Sequence, residues 1–382
     1  MATATDRQLL THSRQDAFKR CRRRAWFSYE LGVRPVEDAK ALRMGSAWHD
    51  ALEMLGNGEH IDAAYSKLYQ TYINLGAFAP DYERAEELAY EFETVARLLY
   101  GYAWRWADDE LEWVACEHSF QIPLVNPATG KASQTFMLAG KIDGIVRHDG
   151  RLLVMEHKLL SDDLASDSKL WEWLKIDSQI TVYMLAARHL GYAVEGVLYN
   201  VTRKPTIKPT PIPVLDDDGL KIVVDRDGNR VRNKSVKPKK SCDLCRGAGV
   251  VGEKYEDCPC TYGSWRQTAS AEDGYTMLTR PMTHEEWGEK LTADIGERPE
   301  FYYARHEIAR LDQDMDEYQR ELWDIAKAYR EAQRSNAFYR TAHKDTCGFC
   351  PYFGLCTSGW NAGDSLPEQF TIVEDIHPEL SR

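Results

Sequence analysis

The segment LAGKIDGIVRHDGRLLVMEHKLL, residues 138–160, constrains this chain more than any other. Asp149-Gly150 predicts a two-residue hairpin turn, because a type I′ turn needs positive φ at both central positions. Pairing His148 with Arg151 then carries the register back to Asp143 directly opposite Glu156. They form a non-hydrogen-bonded pair on one face, with Cβ atoms about 4.5–5.5 Å apart. Two opposed carboxylates repel and cost stability unless a cation lies between them. Lys158 is two residues beyond Glu156 and shares its face. Ile142, Ile145, Val146, Leu152, Leu153 and Val154 predict a sheet buried on both sides. Charges in such a sheet demand a reason. Two acids and a lysine converging on one point suit phosphodiester hydrolysis, with a divalent metal polarising the phosphate and acidifying a bound water. The plainer alternative is a surface hairpin with a Glu–Lys pair.

The rest of the chain divides around this hairpin. Residues 1–110 read as a helical part, with helices through Phe18, Cys21 and Trp26, from about Met44 to Leu55, and over Ile61 to Arg105. Residues 111–205 read as the core, with strands over Trp113 to Leu124, Thr135 to Leu160 and Val194 to Val201, and a helix from about Ser168 to Leu190. Residues 206–275 carry Pro, Gly, Asp and Lys clusters with four cysteines, which predicts a mostly irregular insert. Residues 276–382 read as helical from Met282 to Gln333, followed by a cysteine-bearing tail.

Two further pairs flank the hairpin. Gly45, His49 and Glu53 form G-x-x-x-H-x-x-x-E on one helix, and Gln179 and Tyr183 form Q-x-x-x-Y at i, i+4 on another. Asp143, twelve intervening residues and Glu156-His157-Lys158 resemble the D…(D/E)-x-K signature of the PD-(D/E)XK nuclease superfamily. The flanking motifs are similar to those of its RecB-like branch, which includes CRISPR-associated RecB-like exonucleases and the AddB nuclease domain. The resemblance implies an α/β fold with a restriction-endonuclease-like core, a small mixed sheet flanked by helices. It implies that Asp143 and Glu156 bind Mg²⁺ or Mn²⁺, that the backbone carbonyl of His157 joins them, and that His49 is a further ligand or contacts the phosphate. It also implies that Lys158 is catalytic and that Gln179 and Tyr183 position the DNA or the lysine. The implied activity is exonucleolytic, on DNA ends or single strands. A DNA-binding or assembly subunit that has the fold but does not cut is the rival, and an RNA-directed enzyme a third possibility.

Nine cysteines in a chain expected in a reducing cytoplasm, a host's if the gene is viral, read as metal ligands rather than disulphides. Cys347, Cys350 and Cys356, in C-x-x-C-x5-C, supply three thiolates, and Cys21 is the remaining candidate for a fourth. This arrangement resembles the 4Fe-4S staple of the AddB and CRISPR-associated RecB-like nucleases. Joining residues 326 positions apart removes unfolded-chain freedom worth about 5 kcal/mol. Spacing alone leaves zinc open at the same four residues. Cys242, Cys245, Cys258 and Cys260, as C-x-x-C and C-x-C, make a zinc-knuckle pattern in the insert. CDLCRGAG also resembles one repeat of the zinc-binding module of DnaJ-type chaperones. Cys116 is left over and reads as a core residue.

The net charge of −12 disfavours a general nucleic-acid coat. A DNA enzyme of this charge needs a local basic track. Lys19, Arg20, Arg22, Arg23 and Arg24 form one run, and Arg230, Arg232, Lys234, Lys237, Lys239 and Lys240 another; the plain alternative for either is solvated surface. No apolar run suggests a membrane span, and the first residues do not read as a secretory signal. DNA is the expected partner, along with proteins of recombination or repair.

Overall fold

The computed structural model of the protein describes residues 7–234, 237–254 and 256–381. It divides into two compact units, one of Met1–Thr206 and Gly288–Arg382, the other of Ile207–Trp287.

The first unit is built on a six-stranded mixed sheet. Its strands are β1 (Gln8–Thr11), β2 (Glu112–Val125), β3 (Ala132–His148), β4 (Arg151–Leu160), β5 (Gly196–Arg203) and β6 (Tyr303–Ile308). Around it pack α1 (His12–Arg20), α2 (Lys40–Gly56), α3 (Ile61–Ala77), α4 (Tyr82–Arg105), α5 (Lys169–Leu174), α6 (Ser178–His189) and α7 (Asp312–Ser335). Strand β3 organises the sheet. One of its edges pairs with β2 along most of its length. The other pairs first with β1, in parallel from Phe136 to Ala139, and then with β4, antiparallel from Gly144 to His148. Between Ala139 and Gly144 the sheet forks.

Strand β4 alternates between two apolar layers. Val154 joins Leu10, Ile145, Ile180, Met184, Val197, Leu322 and Tyr329 under α6 and α7. Leu153 and Met155 face the other way, with Val146 and Leu198 against Leu111 and Trp113. Burial on both sides explains why β4 and β5 are nearly continuous apolar runs. Helix α2 presents Met44, Ala47, Trp48, Ala51 and Leu52, a stripe at i, i+3, i+4 spacing. Helix α6 is buried almost all round, and the Asp177 carboxylate caps it by accepting from Gln179 N–H.

Two sequence expectations need correction. The helical reading of Met282 to Gln333 is broken by β6, which pairs antiparallel with β5 over six rungs. In its sequence, YARHEI, sheet pairing overrides the helical periodicity of its neighbours. Strand β1 was not expected at all, since four residues are too few to express an alternation.

An early and a late segment of the chain meet. Val33–Pro35 pairs antiparallel with Phe370–Ile372. Phe27, in the π-helical turn Trp26–Glu30, packs with Tyr352, Leu355, Trp360 and Phe370. The Tyr352 hydroxyl donates to Val33 O at 2.9 Å.

The second unit consists of short two-stranded ladders. Ile212–Pro213 pairs with Thr279–Arg280, Val223–Val224 with Thr276–Met277, Arg232–Lys234 with Tyr262–Trp265, and Val250–Val251 with Glu256–Asp257. Among the described residues, no helix is long and apolar enough to cross a membrane.

Candidate active site

Asp149 has φ 49° and Gly150 φ 76°, so the hairpin turn is of the primed kind. The rungs run from His148↔Arg151 to Gly144↔Met155 and stop there. One step further, where β3 leaves β4 for β1, stand Asp143 and Glu156. Asp143 replaces the missing rung with its side chain: His157 N–H donates to Asp143 Oδ2 at 2.7 Å. The carboxylate is thereby fixed at the base of the fork and is 8% exposed.

Two other elements reach Asp143. His49, one residue beyond the buried Trp48 of α2, brings Nδ1 to 3.5 Å from Asp143 Oδ1. On β2, the rungs Cys116↔Gly144 and His118↔Ile142 bracket Glu117, which therefore lies across from Asp143. Glu117 has φ 48°, a left-handed conformation that costs a non-glycine residue roughly 1–2 kcal/mol. Donor atoms of His49, Glu117 and Asp143 all lie within 4.8 Å of one another. Lys141 lies 2.6 Å from Glu117 Oε2 and 4.0 Å from Glu53, the last residue of the helical motif. Glu117 and Lys141 escaped the sequence reading because an irregularity between Pro123 and Val125 and a connection at Asn126–Lys131, not a two-residue turn, set the register of β2.

Glu156 is 1% exposed. Its Oε1 is ion-paired with Lys158 Nζ, while its Oε2 is buried without a hydrogen-bond partner among the described residues. An unpartnered carboxylate oxygen is an acceptor left for an absent donor or cation. It does not belong to the compact group formed by His49, Glu117 and Asp143. Gln179 Nε2 donates to the Tyr183 hydroxyl at 2.9 Å, one helical turn away on α6. Lys19, from the first basic run, reaches Ser178 Oγ at 3.4 Å, at the start of the same helix.

The electrostatics separate the carboxyl groups. Burial pushes Glu156 up to about 8, the nearby Asp143 charge adds to this, and Lys158 opposes it. Burial and Asp143 likewise push Glu117 up to about 7, against the pull of Lys141. Burial also disfavours the Asp143 charge, but His49, His157 and Lys158 outweigh it and hold the group below the usual carboxylate range. Burial lowers His49 and Asp143 more than reverses this, so its imidazole is raised. Lys158 is raised well above normal, chiefly by Glu156 acting against burial. Asp143 thus holds its charge, while Glu156 and Glu117 are pushed towards their protonated forms. An imidazole with three carboxylates is a hard donor set that fits Mg²⁺ or Mn²⁺.

The His157 ring points to the opposite side of the sheet from Glu156 and Lys158. Arg305 Nε donates to Asn200 Oδ1 at 2.9 Å, which turns the amide nitrogen of Asn200 towards His157 Nδ1 at 2.7 Å. Nδ1 therefore accepts, and the neutral ring carries its proton on Nε2. Burial lowers its pKa to about 4, in keeping with a neutral ring.

In the second unit, Cys242 and Cys258 have sulphurs 3.6 Å apart, and Cys245 and Cys260 3.4 Å. All four lie within 4.8 Å of one another. Backbone N–H groups of Cys245 and Leu244 point at Cys242 Sγ, and those of Gly249 and Gly247 at Cys245 Sγ, lowering both thiols. Both glycines have φ above 80°, which lets the chain wrap the sulphur. A tetrahedral zinc with arms of about 2.3 Å holds its sulphurs about 3.8 Å apart, close to this spacing.

Cys21, Cys347, Cys350 and Cys356 also face a common region, beside the joined chain ends. Burial raises Cys350 and Cys356, and Cys21 raises both further. Arg24, Arg23 and Arg340 act in the opposite sense. These four are not among the thiol groups that close within 4.8 Å in the described residues. Cys116 is half-buried, with its Sγ 3.5 Å from Glu53 O.

A family model described as the PD-(D/E)XK nuclease superfamily matches residues 9–357. No curated protein matches the chain.

Proposed function

Since the chain belongs to the PD-(D/E)XK nuclease superfamily, we propose that it is a Mg²⁺- or Mn²⁺-dependent deoxyribonuclease that digests DNA from ends or along single strands. The observation that carries this reading is the fork at Asp143, where His49 and Glu117 close on Asp143 within 4.8 Å and Glu156 with Lys158 stands one position past the last rung of the hairpin. Asp143, Glu156, Glu117 and His49 would hold the metal, with the backbone carbonyl of His157. When bound, the metal polarises the scissile phosphate and supplies a hydroxide-like water near neutral pH. Lys158 stays protonated at the mouth of the site, orienting the water and countering charge that develops on the phosphate. Gln179, bonded to Tyr183, fixes that phenol beside Lys158 and keeps the ammonium from swinging away. Glu117 holds Lys141 and shares the charge of the second acid of the site.

The same reading places the chain in the RecB-like iron–sulphur branch. Cys21, Cys347, Cys350 and Cys356 would hold a 4Fe-4S cluster that ties the ends of the chain. Their flanking arginines suit its negative charge. Cys242, Cys245, Cys258 and Cys260 would hold structural zinc.

The test is digestion of end-labelled single- and double-stranded DNA, open or end-blocked, with Mg²⁺, Mn²⁺ or chelator. Metal-dependent cleavage lost in Lys158→Ala is the expected result. Binding without cleavage under every condition would identify a non-cutting subunit, and cleavage of RNA in preference to DNA would identify an RNA-directed enzyme.

A further inference from the structure

The chain is acidic overall, at −12, yet residues 226–246 contain eight basic and two acidic residues. A polyanion must be met by a local positive surface, because a net repulsion acts everywhere else. We propose that this part of the second unit is a single-stranded DNA-binding surface, built around the four-cysteine group. The inference rests on the nuclease reading for its choice of DNA.

Three observations support it. First, the charges are available. Arg230 is held by Asp216 at 2.5 Å and Arg266 by Asp273 at 3.5 Å. Arg232, Lys237, Lys239 and Lys240 are all exposed and have no carboxylate in ion-pair distance among the described residues. Second, aromatic rings lie among them. Arg232 and Trp265 are partners across the ladder, and the guanidinium groups of Arg232 and Arg230 lie 3.8 and 4.2 Å from the indole centroid. Tyr262, on the same strand as Trp265, is 41% exposed. Cations along a strand beside an exposed aromatic ring such as Tyr262 grip phosphates and stack an unpaired base. Third, the cysteine group sets the position of the lysines. Lys239 O accepts from Cys242 N–H at 3.0 Å, and Lys239 N–H points at Cys260 Sγ. Gly247, at φ 91°, turns the chain against the Lys240 backbone. Whatever closes the four thiolates therefore also fixes Lys239 and Lys240 in place.

The test uses the full chain carrying Lys158→Ala, so that the probe survives, and a labelled oligothymidylate of about 30 nucleotides. Adding Lys237→Gln, Lys239→Gln and Lys240→Gln together should weaken binding about ten-fold or more at roughly 0.1 M salt. It should also lower the slope of log affinity against log salt by about 2, since each single-strand phosphate contact contributes about 0.7. Unchanged zinc content shows that the fold of the unit survives. With Lys158 restored, the same three substitutions should raise KM for long single strands and leave kcat alone. Equal affinity and equal slope would overturn the proposal. A loss confined to duplex probes would overturn its single-strand assignment. Insert-dependent binding by a protein that cuts nothing in any metal would keep this proposal and remove the nuclease reading instead.

Discussion

Asp143 and Glu156 each lie one position beyond the last rung of the hairpin, and their chemistry separates there. Asp143 is anchored by His157 N–H and countered by His49, so it stays ionised. Glu156 has one oxygen on Lys158 and one buried oxygen with no partner. Its pKa, pushed up to about 8 by burial, has a consequence for stability. Between the unfolded value near 4.5 and about 8, the metal-free folded state holds a proton that the unfolded chain has released. Stability in chelator therefore falls as pH rises through that window. Glu156→Gln removes the titrating group, although it also leaves Lys158 without its partner. In chelator the variant's melting temperature should therefore fall less than the parent's between about pH 5 and pH 8. Cleavage should be lost in the same variant. Saturating Mn²⁺ should raise the parent's melting temperature more than the variant's, because only the parent gains a ligand. A variant with the parent's pH dependence in chelator would mean that Glu156 is not held protonated. Glu117 gives a second residue-level prediction. Its left-handed backbone is a cost the fold retains next to Asp143. Glu117→Gln should raise the Mn²⁺ concentration for half-maximal cleavage about ten-fold or more, with the fold intact by circular dichroism. An unchanged metal requirement would make Glu117 only the partner of Lys141.

At the scale of elements, the hairpin and its fork create the site. The turn is specific: Gly150 sits at φ 76° with open space around it, so a Cβ there meets strain but no neighbour. Gly150→Ala should cost about 1 kcal/mol of stability by denaturant titration and leave kcat unchanged, since the register is also held by five rungs. A collapse of activity would mean that the turn alone sets the register. This hairpin was legible in the sequence because a two-residue turn propagates its register without ambiguity to Asp143 and Glu156. The i, i+4 pairs His49–Glu53 and Gln179–Tyr183 were legible because a helix fixes which side chains share a face. What the sequence did not carry was long-range pairing. Glu117 meets Asp143 through a bulged ladder, Asn200 reaches His157 from 43 residues away and is itself held by Arg305, and β6 lies within a helical pattern. The fork itself has no local signal, because it arises only when β1 occupies the edge that β4 vacates.

At the scale of the molecule, the question is what holds the first and last segments together. The contacts between them include a three-rung ladder from Val33–Pro35 to Phe370–Ile372, a nest of aromatic side chains around Phe27, hydrogen bonds through Tyr352, and bonds from Thr11 to Glu379 and from Arg34 to Ile376 O. Closing so long a loop carries an entropy cost that grows only slowly with length, and a covalent link shifts that cost to the unfolded chain. If Cys21 and the three tail cysteines share one cluster, the link contributes about 5 kcal/mol, comparable to the whole stability of many domains. The same ends flank the site, since α1 leads from His12, bonded to Ser178 at 3.1 Å, to Cys21 nine residues on. Opening them should therefore loosen Lys19 and the start of α6 as well. Cys350→Ser, prepared anaerobically, should lose the brown absorbance near 400 nm and its iron. It should melt about 10 °C lower and be cut first by protease in the segments flanking residues 33–35 and 370–372. Cleavage of DNA at low temperature should persist, because no electron transfer enters hydrolysis. A colourless anaerobic parent with one zinc ion at these thiolates would replace the cluster by a simpler clasp. A Cys350→Ser variant that melts with the parent would show that the aromatic nest and the ladder hold the ends unaided.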